Sequence, residues 1–387
     1  MMFSERYLER LRRREEAGLL RNPPLTDGRE GKYLLMDGRR VLNFSSNDYL
    51  GLGVSPALRR QVAGNFQKFG TSSSASRLVS GNSSLIARAE EAYARHFGYE
   101  DAIFFPSGYQ ANLGLLSTLF EKGDVLFFDK HLHASSIKGM TLSGASFRGY
   151  NHNDLSHLRK RLAGEEAAAR SAVVTESLFS MDGDLLAVEE LGKLKEEYGF
   201  FTIIDEAHAF GALGEQGRGI AGPVADIAVG TFGKALGLFG AFILLPHALK
   251  EYLFNFSSPL IYSTALPEAH AASALDILET VAAGEAARAS LREISALMKE
   301  ALLAEGLQAR GDAHIIAWEI GAEKRTVKMA QELLKRGIFA LAARYPTVPR
   351  GRAMLRLGMT ALHAPDDVGA FIAALRDIRK SEGGNDG

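Results

Sequence analysis

The sequence predicts an α/β protein built on a mostly parallel sheet, followed by a smaller second α/β domain. Through the middle of the chain, short apolar runs alternate with longer amphipathic stretches, and polar residues stand just after several of the runs. Strand, helix, strand in repetition is the pattern of right-handed crossovers that cover both faces of a parallel sheet. Ligands of such sheets sit beyond the carboxyl ends of the strands, so the residues after each run carry the functional argument. A change of composition after Thr264 marks the second domain.

Taken in order, residues 1–14 are rich in Arg and Glu, and Leu8 and Leu11 fall on one side of a helical period. Ala102–Phe105, Val125–Phe128, Ala172–Thr175, Phe201–Asp205, Ile227–Thr231 and Ala241–Leu245 are short apolar runs bounded by Gly, Pro, Ser or Asp, as buried strands are. Leu85–Phe97 and Val188–Tyr198 carry helical periodicity between them. Alanines at helical spacing fill Ala265–Arg310, which predicts one long helix joining the two domains. Beyond it come strands Ile315–Ile320, Ile338–Ala342 and Met354–Gly358, and helices Val327–Arg336 and Ala364–Arg379. The Gly- and charge-rich tail Lys380–Gly387 is expected to fray.

Composition narrows the chemistry. With 387 residues and 46% apolar content the chain fills more than one core, since single cores stop growing at roughly 250–300 residues. The formal net charge of -1 gives no global field toward nucleic acid or an anionic membrane. The absence of cysteine excludes disulfide frameworks, thiolate nucleophiles and cysteine-bound metal clusters. The start lacks the apolar stretch of a signal peptide, and the most apolar run, Ala235–Pro246, is far short of the ~20 residues that span a bilayer. A soluble cytoplasmic protein is the expectation.

Four groups follow predicted strands: Ser107-Gly108-Tyr109, His131-Leu132-His133, Asp205-Glu206-Ala207-His208 and Thr231-Phe232-Gly233-Lys234. Singly, each has an ordinary reading. Asp205 suits a helix cap, His133 and His208 suit a core, and a Gly before a helix is common. Lys234 is harder to dismiss, because it stands between Gly233 and the apolar Ala235–Leu238, where an ammonium needs a partner. A nucleotide reading fails: Ala235 follows Gly233-Lys234 where a P-loop needs Ser or Thr, and Pro56 stands where a dinucleotide fingerprint begun at Gly51 needs its third Gly. Asp205, His208, His131 and His133 make a minor metal alternative, which leaves the lysine without a role, and no metal is expected. Pyridoxal phosphate chemistry uses them together: a lysine for a Schiff base, an aspartate for the pyridinium nitrogen, an aromatic ring for stacking and helix-terminal amides for a phosphate.

The residues also carry a specific resemblance. Asn43–Leu52, Glu176–Asp184, Asp205–His208 with Gly217-Arg218-Gly219, and Thr231–Lys234 resemble the α-oxoamine synthases, from about Arg21 to about His363. That resemblance implies a fold-type I pyridoxal phosphate transferase, with a mostly parallel seven-stranded sheet in a large domain and a smaller C-terminal α/β domain. It implies an N-terminal arm and helix over residues 1–50, a cofactor-binding domain over 51–285 and a small domain over 286–387. Leu260–Pro267 and Tyr345–Gly351 point further to the branch that joins L-alanine to a pimeloyl thioester in biotin synthesis.

By resemblance, Lys234 holds the cofactor and serves as base, Asp205 pairs with the ring nitrogen, and His208 and Ser180 bond near the ring oxygen. His133 stacks on the ring, and Gly108, Tyr109 and Thr231 meet the phosphate. Arg356 clamps the amino acid carboxylate with Asn47 nearby, while Arg21 and Thr347 contact substrate. The family's active site implies a homodimer. Departures are Ile86, the serine-dense Gly70–Arg77, Glu206 where many members have Asp, and Met354 where many have Arg. The alternatives are the sister reactions that use glycine or serine with acetyl, succinyl or long-chain thioesters. An aminotransferase on the same fold and a silent partner subunit are more remote.

Overall fold

The computed structural model describes residues 3–164 and 170–383. The chain divides into two compact units. One runs from Leu50 to Ser180 and from Leu185 to Ala289; the other takes the residues up to Tyr49, Met181–Asp184 and those from Ser290 onward.

The first of these holds a seven-stranded sheet in the order Asp101–Phe105, Ala241–Leu245, Ile227–Thr231, Phe201–Asp205, Ser171–Glu176, Val125–Asp129 and Ser146–Tyr150. Only Ala241–Leu245 runs antiparallel to its neighbours. The central strands are apolar on both faces because both faces are covered. On one face Ile103, Ala172, Val174, Ile203, Ile227, Val229, Ala241 and Ile243 pack against Ala111, Leu115 and Leu116 of helix Gly108–Leu119 and Met140 of helix Ala134–Leu142. The opposite face carries an aromatic cluster, in which Tyr93 meets Phe104, Phe232 and Phe242 edge-on at centroid distances of 5.0–5.3 Å. The seventh strand, Ser146–Tyr150, was not visible as an apolar run. It is an edge strand in which only Tyr150 is buried, and its Ser, Phe and Arg face solvent. The serine-dense stretch ends in a buried Arg77, which grips Glu90 through two bonds of 2.6 and 3.1 Å.

The other unit contains two four-stranded sheets. Gly28–Glu30, Tyr33–Met36 and Arg39–Asn43 form a meander to which Ile338–Phe339 adds in parallel. Ala309–Arg310, Ile315–Gly321, Ala353–Gly358 and Leu341–Ala343 form the second, wholly antiparallel. The expected single strand Ile338–Ala342 is therefore two strands in different sheets, broken at Ala340. Met354 is buried with Ala317, Ala343, Val348 and Met181, an apolar setting that suits Met where an Arg would need a partner. The final helix, Pro365–Gly383, continues past Arg379 through the first residues of the expected frayed tail, and residues 384–387 of that tail lie outside the described residues.

The alanine-rich stretch is also corrected. It forms two helices, Glu268–Ala282 and Glu285–Ala304, and the second carries the chain from one unit to the other. Alanine spacing favours helix throughout, but Ala283-Gly284 turns the chain and Arg288 stabilises the break. Its guanidinium, only 1% exposed, donates to the carbonyls of Val281 (2.6 Å) and Ala282 (3.4 Å) at the end of the first helix and to Glu285 (2.9 Å). Arg288→Met retains the stem but leaves those carbonyls unpaired. It is expected to lower stability by about 1–3 kcal/mol, measured as a shift in the urea midpoint at unchanged slope.

Candidate active site

Strand alternation decides which side chains reach the site. Val174, Ile203 and Val229 lie on the face covered by helices Gly108–Leu119 and Ala134–Leu142. Two residues further on, at the carboxyl ends, the same face presents Glu176, Asp205 and Thr231. Glu176 and Asp205 are register partners on adjacent parallel strands, so two carboxyl groups stand side by side.

Lys234 is carried on the tight loop between Ile227–Thr231 and Ala241–Leu245. The Thr231 hydroxyl shapes this loop by donating to the Gly240 carbonyl (3.0 Å) and accepting from the Gly233 amide (3.1 Å). Gly237, at φ 68°, lets the loop press on the backbone of Leu52-Gly53, where a Cβ would come within 2.4 Å of the Gly53 nitrogen. The glycine string that failed as a dinucleotide fingerprint is thus a seat for the lysine loop. The Lys234 amine meets Nε2 of the buried His208 at 2.8 Å.

Asp205 is held at both oxygens, by the Asn112 side-chain amide (2.8 Å) and the Ala207 backbone amide (2.9 Å). The second Asn112 N–H reaches the Ser135 hydroxyl (3.1 Å), and that hydroxyl lies 2.7 Å from Nδ1 of His133. Nδ1 also accepts from the Ser135 amide at 3.3 Å, which leaves the proton of the neutral ring on Nε2. The His133 ring keeps a side open to solvent, while lost hydration holds it below the ordinary histidine range against the pull of Asp205, with Lys234 adding to the depression. Glu176 completes the network by accepting the His133 backbone amide at 2.7 Å. Its carboxyl is pushed up to about 8 by burial and by Asp205, while the amides of His133 and Ser180 and the Lys234 charge act in the other direction.

Ser107 caps helix Gly108–Leu119 by accepting from the Gln110 amide at 3.2 Å. The amides of Gly108 and Tyr109, in the first turn, have no acceptor within the helix. A Cβ built on Gly108 would meet nothing within 4 Å, so the space before this helix is open. Of the residues in the minor metal alternative, His131 stacks on His152 at 3.9 Å, and His152 bonds Asp129 at 3.0 Å.

The expected substrate residues belong to the other unit. There Arg356, 3% exposed on strand Ala353–Gly358, donates to the Tyr49 hydroxyl (3.2 Å), which lies 3.1 Å from Oδ1 of Asn47. Burial raises the Tyr49 phenol, and Arg356 opposes that shift. Arg21 bonds the Thr347 hydroxyl at 3.1 Å, both at the surface.

Sequence reasoning missed Asn112, Ser135 and Glu176. Glu176 follows the apolar Ala172–Thr175 just as Asp205 follows Phe201–Ile204, so the rule that found one reaches the other. Asn112 had a fainter signal, a lone amide among Ala111, Leu113, Leu115 and Leu116, and Ser135 had none.

Glu206, next to Asp205, has a different task. Wholly buried, it accepts from the Ser177 hydroxyl (2.7 Å) and the Ala221 amide (2.7 Å), and bonds the Ile220 amide at 3.2 Å. At Gly219, φ 78°, a Cβ would lie 2.7 Å from this carboxylate, which explains the Gly217-Arg218-Gly219 turn. Burial pushes Glu206 up to about 7 from 4.5. A raised acid binds its proton more tightly in the folded state, so its contribution is greatest below pH 4.5 and is lost as pH rises toward 7. The stability of the wild type relative to Glu206→Gln is therefore expected to fall across that window in paired urea titrations.

Residues 39–375 match the family described as aminotransferase class I and II. The chain is 39% identical over 388 residues to an 8-amino-7-oxononanoate synthase of Geobacter metallireducens, covering 98% of this chain and 99% of that one. Among solved structures it resembles a serine palmitoyltransferase of Sphingomonas wittichii, with TM-score 0.90, 29% identity and coverage of 97% and 98%. An 8-amino-7-oxononanoate synthase of Francisella tularensis matches with TM-score 0.77, 30% identity and coverage of 88% and 98%. With its seven-stranded sheet, its strand-end lysine and aspartate and relatives matched over nearly their whole length, the chain belongs to the aminotransferase class I and II family, in the α-oxoamine synthase branch.

Proposed function

We propose that this chain condenses L-alanine with a pimeloyl thioester to give 8-amino-7-oxononanoate, carbon dioxide and the free thiol, with pyridoxal 5'-phosphate as cofactor. The observation that carries this is the pairing at one sheet end of the Lys234 amine, 2.8 Å from His208, with the doubly held carboxylate of Asp205. The donor set fits the cofactor: an amine for its aldehyde, a carboxylate for its ring nitrogen, an imidazole with an open side for its ring, and unpaired helix amides before open space for its phosphate.

In this reading Lys234, Asp205, His208, Ser180 and His133 hold the ring, and Gly108, Tyr109 and Thr231 take the phosphate. When bound, the cofactor supplies an electron sink for negative charge at the alanine α-carbon. Lys234 removes the α-proton, which requires an uncharged amine in a partly desolvated site. The alanine carbon then bonds to the thioester carbonyl as the carbon–sulfur bond breaks, the thiolate taking up a proton, and the alanine carboxylate departs as carbon dioxide while the carbon it leaves takes a proton in its place. Arg356 is assigned to that carboxylate, with Asn47 beside it, because a guanidinium fork matches two oxygens. Arg21 and Thr347 are assigned to the acyl donor. We further assign a homodimer and a cytoplasmic location; among the described residues no helix is long and apolar enough to cross a membrane.

A second reading, serine with a long-chain thioester, is favoured by the higher TM-score to the serine palmitoyltransferase. Thiol release measured for alanine, glycine and serine against pimeloyl, acetyl, succinyl and palmitoyl coenzyme A separates the two. Turnover is expected with alanine and pimeloyl coenzyme A alone, and turnover with serine and palmitoyl coenzyme A would replace the assignment. Lys234→Ala is expected to abolish turnover and covalent retention of the cofactor after borohydride treatment, read by intact mass.

A further inference from the structure

We infer that Glu176 is a positioning residue of this site, a buried carboxyl group that fixes the backbone of His133 and the turn at Ser180 and so sets the His133 ring in place. The inference rests on the proposed cofactor site and names a group that this site needs but that touches neither cofactor nor substrate.

Glu176 is 2% exposed at the end of a central strand, in register with Asp205 and on the same face. A second acid there is costly unless it has a task, because burial and a neighbouring carboxylate both disfavour its charge. Its bonds show the task. Oε1 accepts the His133 amide at 2.7 Å, and the Ser180 amide also donates to the carboxyl group. His133 is then tied from two sides, with its backbone on Glu176 and its Nδ1 on Ser135, which Asn112 links to Asp205.

The form of the acid matters as well. The charged groups that face Glu176 are Asp205 on the adjacent strand and Lys234 on its loop, and His133 stands at the head of helix Ala134–Leu142. The two packed helices bring the uncharged Asn112 and Ser135 to Asp205 and His133. Burial and Asp205 push the Glu176 carboxyl up, so it accepts the two amides where a second negative charge beside Asp205 is disfavoured.

The test uses full-length protein with Glu176→Gln, Glu176→Ala, His133→Ala and the double variant Glu176→Ala/His133→Ala, each checked by thermal unfolding. Glu176→Gln keeps an acceptor of the same shape. It is expected to bind pyridoxal phosphate within about threefold of wild type, since the amides of His133 and Ser180 keep their acceptor. Glu176→Ala is expected to lower kcat by about tenfold or more with a smaller change in KM, since small misplacements of a catalytic group have effects of that size. On the His133→Ala background the same substitution should cost little, because its effect runs through that ring. Equal losses on both backgrounds would overturn the inference. A readout that needs no cofactor is the spectrum of ¹³C-labelled histidine in the cofactor-free chain. The His133 resonance should move in Glu176→Ala and keep its position in Glu176→Gln, and an unmoved resonance in Glu176→Ala would count against the inference. Failure of the wild type to bind pyridoxal phosphate would instead overturn the cofactor site itself.

Discussion

Two acids side by side at the end of a buried parallel sheet are the constraint to which the surrounding site answers. In-register parallel pairing brings Glu176 and Asp205 to the same face, where burial and the neighbouring acid oppose charge on Glu176. The chain resolves the conflict by treating them differently. Asp205, half-buried, receives a side-chain amide and a backbone amide, whereas Glu176 receives two backbone amides at full burial, which pushes its carboxyl up. The Asn112 amide has two N–H groups and serves both Asp205 and Ser135, so a single helix position couples the acid to the orientation of His133. A network of this kind is stable only when each member is satisfied, which places buried polar residues on helices whose other positions are apolar.

How much of this was legible in the sequence follows from the physics of each signal. Asp205 and Lys234 stood out because a charge next to a fully apolar run has no ordinary reason to be there. All six predicted strands of the large sheet match within a residue at each end, because buried strands between helices announce themselves by composition. Ser146–Tyr150 was invisible for the converse reason, as an edge strand needs one neighbour and little apolar surface. The break at Ala283-Gly284 was hidden because its cause, Arg288 reaching back to Val281, is a contact between turns and leaves no periodic trace. Ser135 was unreadable because its importance lies entirely in what it touches.

The comparisons bear on substrate less than on fold. Sequence identity leads to 8-amino-7-oxononanoate synthases, whereas the backbone overlays on a serine palmitoyltransferase with TM-score 0.90. The two findings are compatible, because backbone shape is set by the sheet and its core, which sister enzymes share, and substrate choice by a few side chains that leave the backbone unchanged. The departures from the family pattern illustrate the separation. Glu206 keeps an acid that braces Gly219 to Ala221, and Ile86 is an ordinary core residue of helix Ser84–Phe97. Neither alters the group of side chains around Lys234.

Met354 and Arg356 carry that point into the other unit. They occupy one strand with the same side-chain parity, both nearly inaccessible, yet one is packed among apolar side chains and the other is bonded to the Tyr49 hydroxyl. The Tyr49 hydroxyl, itself within 3.1 Å of Oδ1 of Asn47, holds the buried guanidinium in position, and a guanidinium fork fixed in this way matches the two oxygens of a carboxylate.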